Sequence, residues 1–193
     1  MAICNKTRFC YTHNRYFQEG EQDMDAMEAL FSRRSIRKYT TEPVTEEDLR
    51  EILEAGMSAP SAGNQQSWHF VIINDRKILD QIPSFHPHSQ MLKEAPVAIL
   101  VCGDLKLEKH IGYWIQDCSA ATENLLLAIH AKGLAAVWLG IFPREERVEG
   151  LRKLLDLPDH VIPLSLIPIG HPAESKPPRP DRYNVNKIHH NRW

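Results

Sequence analysis

Ala95-Pro96-Val97-Ala98-Ile99-Leu100-Val101-Cys102-Gly103 is an unbroken apolar run. Its length and β-branched content read as a fully buried strand from Pro96 to Cys102. Working outward, His69-Phe70-Val71-Ile72-Ile73-Asn74 has strand composition, as do Ala135 to Ile141, which runs into a glycine turn, and Val161 to Gly170. Helical periods fill the gaps. Met27, Leu30 and Phe31 recur at helical spacing after Asp25. Pro43 to Gly56 starts with Thr45 as N-cap, acids in the first turn and Asp48 three residues on, with Leu49, Ile52 and Leu53 as its buried stripe and Gly56 closing or interrupting it. Arg76 to Ile82 is a short helix, and Pro83 to Gln90, with His86 and His88, reads as an exposed connection. Tyr113 to Lys132 carries the longest signal, with Trp114, Cys118, Ala121, Leu125, Ala128 and Ile129 inward, and Arg144 to Leu155 is the last helix. Helices alternating with four short strands predict an α+β or three-layer α/β domain.

The chain has 193 residues, 42% hydrophobic and 25% charged, enough for one domain with a real core. Residues 1–24 have no clear apolar period and read as a loose extension, either an upstream start choice or an arm on a partner. Residues 25–193 form the domain, ending from about 172 in a proline-rich basic tail that is extended and suited to lie across a neighbouring subunit. With a net charge of -2 there is no positive field to hold a nucleic acid. No apolar stretch approaches the roughly twenty residues needed to span a bilayer. Cys4, Cys10, Cys102 and Cys118 show neither a CxxC pair nor zinc-ligand spacing, so no metal and a reducing cytoplasm are expected. Cys102, inside the apolar run, reads as a small buried side chain rather than a nucleophile.

Chemistry concentrates in Arg33-Arg34-Ser35-Ile36-Arg37, on the turn after the first helix. Guanidinium is permanently charged and its planar fork matches phosphate oxygens two at a time. Two readings fit this cluster alone: an anchor for a phosphorylated ligand, or a solvated basic turn.

The order of four segments adds a resemblance. Arg33 to Arg37, then Ala59-Pro60-Ser61-Ala62-Gly63-Asn64-Gln65-Gln66-Ser67-Trp68, then Ala136-Val137-Trp138-Leu139-Gly140-Ile141, then Ile169-Gly170-His171-Pro172 followed by Lys176-Pro177-Pro178-Arg179-Pro180, resembles the FMN-dependent nitroreductase family over residues 27 to 182. The resemblance implies an α+β, three-layer fold with a central, mainly antiparallel sheet flanked by helices, in an interlocked homodimer with FMN at the subunit interface. It implies transfer of hydride from NADH or NADPH through FMN N5 to small nitroaromatic or quinone acceptors in a ping-pong cycle, with no catalytic residue required of the protein. By the same resemblance Arg33, Arg34, Ser35 and Arg37 hold the FMN phosphate and ribityl chain. Pro60, Ser61, Ala62, Asn64 and Gln66 reach the flavin from the other subunit. Trp138, Leu139 and Gly140 run along the ring, and Lys176 and Arg179 finish the phosphate site. Ser67 departs from the family's proline, which implies a looser turn.

The same scaffold also supports reductive dehalogenation, flavin-consuming chemistry and non-catalytic flavin binding. His110 to Trp114 is the one segment here that suggests a specialised lid.

Overall fold

The computed structural model describes residues 24–179 and 181–193. The expected extension therefore lies outside the described residues, Met24 excepted. All eight residues of the strand Val97–Asp104 (β2) are buried. Because strand side chains alternate between faces, they feed two separate cores. Val97, Ile99 and Val101 pack with Ile52, Trp114, Cys118, Ala121, Leu125 and Ile129. Ala98, Leu100 and Cys102 pack with Leu79, Ile82, Leu92, Val148 and Leu151. Burial on both faces explains the absence of apolar–polar alternation, and each fully buried Ile or Leu contributes roughly 1.5–3 kcal/mol.

β2 pairs antiparallel with β1 (Trp68–Ile73) and with β5 (Val161–Gly170), placing Leu100 between Val71 and Leu166. Two short strands, β3 (Ala135–Ala136) and β4 (Leu139–Gly140), pair antiparallel with β5, giving the order β1-β2-β5-β3 with β4 also on β5. Helices α2 (Glu46–Met57) and α4 (Trp114–Ala131) cover one face, and α3 (Arg76–Gln81) and α5 (Glu145–Leu155) the other. The fold is thus α+β in three layers. No helix among the described residues is long and apolar enough to cross a membrane.

α2 starts as expected. Thr45 Oγ1 accepts from the Asp48 N–H at 3.0 Å and donates to Asp48 Oδ2 at 2.6 Å. Burial alone would raise the Asp48 carboxyl, but the Thr45 hydroxyl and the Lys132 ammonium outweigh it and hold it below the usual carboxylate range. Burial pushes the Cys102 thiol up to about 12, so it stays neutral and enclosed.

Several expectations are corrected. Gly56 neither ends nor interrupts α2: it lies inside the helix where a Cβ would stand 2.7 Å from Leu125 Cδ2, so it permits α2 and α4 to approach. Leu49 and Leu53 are only partly buried, leaving Ile52 at the centre of the stripe. Residues 83–90 are not an exposed connection, because 3₁₀ turns at Ile82–Ser84 and Pro87–Lys93 fold Ile82, Ser89, Met91 and His86 inward. The expected strand from Ala135 to Ile141 splits into β3 and β4, interrupted at Val137–Trp138. In α1 (Ala26–Ser32) the buried residue is Ala29, while Met27, Leu30 and Phe31 stand exposed.

Candidate functional site

The arginine cluster is extended backbone tied to the sheet. Arg33 caps α1, and the Ile36 N–H donates to the Ala136 carbonyl at 3.1 Å, with Ser35 bridged to Ala136. Ile36 and Tyr39 are buried, and the Tyr39 hydroxyl donates to the Ile36 carbonyl at 2.9 Å. Alternation then leaves Arg37 on the exposed side.

The returning chain completes this surface. The Thr40 N–H donates to the His171 carbonyl and the Ala173 N–H to the Lys38 carbonyl, both at 2.9 Å. That brings Lys176 Nζ to the Ser35 carbonyl, 3.0 Å away. A cavity of about 320 Å³ results, lined by Arg33, Arg34, Ser35, Arg37, Lys176, Arg179 and Arg182. The fold therefore brings together all six of the cluster and tail residues expected from the sequence and adds Arg182. Glu174 was missed: its Oε1 accepts from Lys176 Nζ at 2.8 Å and from the Arg37 N–H at 2.6 Å. Those two donors hold its carboxyl below the usual range.

Arg37 also lines a second cavity, about 410 Å³, with His86, His88, Met91, Trp138, Leu139, Gly140 and Arg147. Arg147 Nη1 donates to the Gly140 carbonyl at 2.7 Å, fixing β4 at the cavity wall. A Cβ placed on Gly140 would meet nothing within 4 Å, so the cavity is open there. His86 is 1% exposed, and burial followed by the Arg147 charge lowers its pKa, keeping the imidazole neutral.

Pro60, Ser61, Ala62, Asn64 and Gln66 do not line either cavity. Their loop is pinned to α4 instead. Asp117 Oδ1 accepts from the Ala62 N–H at 2.9 Å and Oδ2 from Gln65 Nε2 at 2.6 Å. Ser67 Oγ donates to Asp117 Oδ2 at 3.4 Å while Ser61 Oγ accepts from the Gln66 N–H at 3.0 Å. At Ser67, where the family's proline stands, a buried hydroxyl instead ties the turn to Asp117. Gln65 and Asp117, both buried, were not singled out from the sequence. The available signal was Asp117 as the one charged residue on the buried face of α4.

Among the described residues no group of three or more His, Cys, Asp and Glu side chains could hold a metal ion.

The Nitroreductase family model matches residues 30–88 and 83–171 of this chain. The chain belongs to the nitroreductase family. A nitroreductase-family protein of Methanothermobacter thermautotrophicus, provisionally named NADH dehydrogenase/NAD(P)H nitroreductase, is 51% identical over 170 residues, 88% of each chain. The FMN reductase (NAD(P)H) of Bacillus subtilis is 31% identical over 180 residues, 84% of this chain and 72% of its own. Among solved structures, a provisionally named nitroreductase of Desulfovibrio desulfuricans in complex with FMN has a TM-score of 0.70 at 36% identity, covering 81% of this chain and 92% of that one.

Proposed function

We propose that this nitroreductase-family protein is an FMN-dependent oxidoreductase that draws on NADH or NADPH and reduces small nitroaromatic or quinone acceptors. It works as a homodimer with flavin sites between subunits. The observation that carries this reading is the position of Arg37, which lines both the seven-residue cationic and hydroxyl cavity and the cavity walled by Trp138, Leu139 and Gly140. One ligand with a phosphate at one end and a flat ring at the other fits that pair of cavities. The relatives that bear the names FMN reductase and nitroreductase, one of them in complex with FMN, support the same ligand.

FMN bound there would supply the two-electron redox chemistry between nicotinamide and acceptor. The chain's own residues bind and orient. Arg33, Arg34, Arg37, Lys176, Arg179 and the Ser35 hydroxyl hold the phosphate and ribityl chain by charge-assisted hydrogen bonds, and Glu174 steadies Lys176 and the Arg37 backbone. Trp138, Leu139 and Gly140 form the wall along the ring. Pro60, Ser61, Ala62, Asn64 and Gln66, which line neither cavity of their own protomer, serve the site of the second subunit.

The test is spectroscopic. The purified protein should carry a flavin band near roughly 450 nm that NADH or NADPH bleaches without oxygen and that menadione or nitrofurazone restores. Protein that neither carries nor takes up FMN overturns the proposal. Bleaching without repeated turnover would instead identify a non-catalytic flavin module.

A further inference from the structure

The Asp117 carboxyl lies in the first turn of α4 and is 3% exposed, yet among the described residues it makes no ion pair. Its partners are three neutral donors of one loop: the Ala62 N–H, Gln65 Nε2 and Ser67 Oγ. Gln65 passes the connection on, since its Oε1 accepts from the Lys109 N–H at 2.8 Å and the His110 N–H at 3.0 Å. The His110 ring also lies against the loop, for a Cβ on Gly63 would stand 2.4 Å from His110 Nε2. One chain of hydrogen bonds, buried at Asp117 and partly buried where it reaches Lys109 and His110, therefore joins α4, residues 61–67 and residues 105–113.

Such a carboxyl is a poor device for stability alone, because an apolar residue of similar volume avoids its desolvation. What it does secure is a conformation. Gly63, Asn64 and Gln66 have φ of 52°, 53° and 48°, and non-glycine residues persist in the left-handed region only where their surroundings over-determine them. The Asp117 network supplies that constraint and leaves Asn64 and Gln66 exposed. The segment built on the same frame carries exposed Leu105, Leu107, Tyr113 and Ile111, the last 92% exposed.

We propose that Asp117 is a positioning residue: through Gln65 it sets Asn64 and Gln66 and the segment Leu105–Tyr113 as one unit, forming the acceptor-facing wall of the site. This rests on the reading of the 60–66 loop as serving the flavin of the second subunit. Leu105, Leu107, Ile111 and Tyr113 offer apolar contact to a flat acceptor such as a quinone, and the exposed Lys106, Lys109 and His110 between them offer donors to its oxygens.

The donor and acceptor order permits a reversal test on the full-length protein. Asp117→Asn sets an amide donor against the Gln65 amide, and Gln65→Glu sets a carboxylate against Asp117. Combined, they restore the bond with its polarity reversed, while residue 65 still accepts from Lys109 and His110. At saturating FMN, each single variant should lower kcat/KM for menadione about tenfold, chiefly through KM. Amide exchange in 61–67 and 105–113 should quicken together by about tenfold, the factor for a buried donor that loses its acceptor. The double variant should return both readouts to within about threefold of wild type.

Unchanged exchange and kcat/KM in the single variants overturn the proposal. So does faster exchange with unchanged kcat/KM, or a double variant that unfolds at the wild-type temperature without recovering kcat/KM. If the single variants do not fold, the double variant decides by its own exchange and kcat/KM. Wild-type protein that takes up no FMN would refute the oxidoreductase reading instead, leaving the exchange arm to judge the link between the segments.

Discussion

Glu174 Oε1 accepts the Arg37 main-chain N–H at 2.6 Å across 137 residues of sequence. An acid thus organises the wall of the cationic cavity. The same oxygen holds Lys176, whose Nζ also reaches the Ser35 carbonyl, so the tail and the arginine segment form one wall.

The pH dependence of this latch has a definite sign. Lys176 and the Arg37 N–H hold the folded Glu174 carboxyl below its ordinary value of about 4.3, so folding favours the ionised form. Its stabilisation is complete above that ordinary value and is lost as pH falls through the lower folded value. Wild type should melt above Glu174→Gln at pH 7, and the gap should close below about pH 4 in paired thermal scans. A gap independent of pH would show that the charge does not matter.

Arg37→Ala should weaken FMN binding by roughly 10- to 100-fold, because a charge-assisted contact is worth about 1.5–3 kcal/mol and Arg37 lines both cavities. Titration with FMN, followed by quenching of flavin fluorescence, measures it. An unchanged Kd would remove Arg37 from the site.

Glu123→Gln should act in the opposite direction. Glu123 Oε1 stands 3.5 Å from Arg33 Nε in a partly exposed pair, and neutralising it leaves the guanidinium wholly to the ligand. A gain of about two- to fivefold in FMN affinity is expected, the size of a surface ion pair. It should shrink with added salt in the same titration.

Gly56→Ala should destabilise despite its better helix propensity. The new Cβ would meet Leu125 Cδ2 at 2.7 Å and Cγ at 3.0 Å, and Leu125 is fully buried with nowhere to swing. Overpacking costs about 1–3 kcal/mol against a propensity gain of about 1 kcal/mol. Calorimetry should show Tm lower by about 2–6 °C.

Much of the fold was legible because local rules decide it. β2 announced its burial by an unbroken apolar run, Thr45 marked the start of α2, and Gly133 followed α4, where its φ is 71°. The misreadings came where local and tertiary signals conflict. Gly56 has the chemistry of a helix end but the place of a helix contact. Residues 83–90 look polar and broken, yet their 3₁₀ turns fold His86 and Met91 inward.

The sequence alone determined the alternation of helices and strands, the family and the six charged and hydroxyl residues of the candidate phosphate site, since residue type and order carry those properties. Only the tertiary structure decided that Arg37 belongs to two cavities, that Glu174 latches the tail, and that Asp117 and Gln65 pin the 61–67 loop. These are contacts between segments 44 to 137 residues apart. Their distances depend on how the sheet and α4 bring backbone donors and side-chain acceptors together, and no local pattern encodes that.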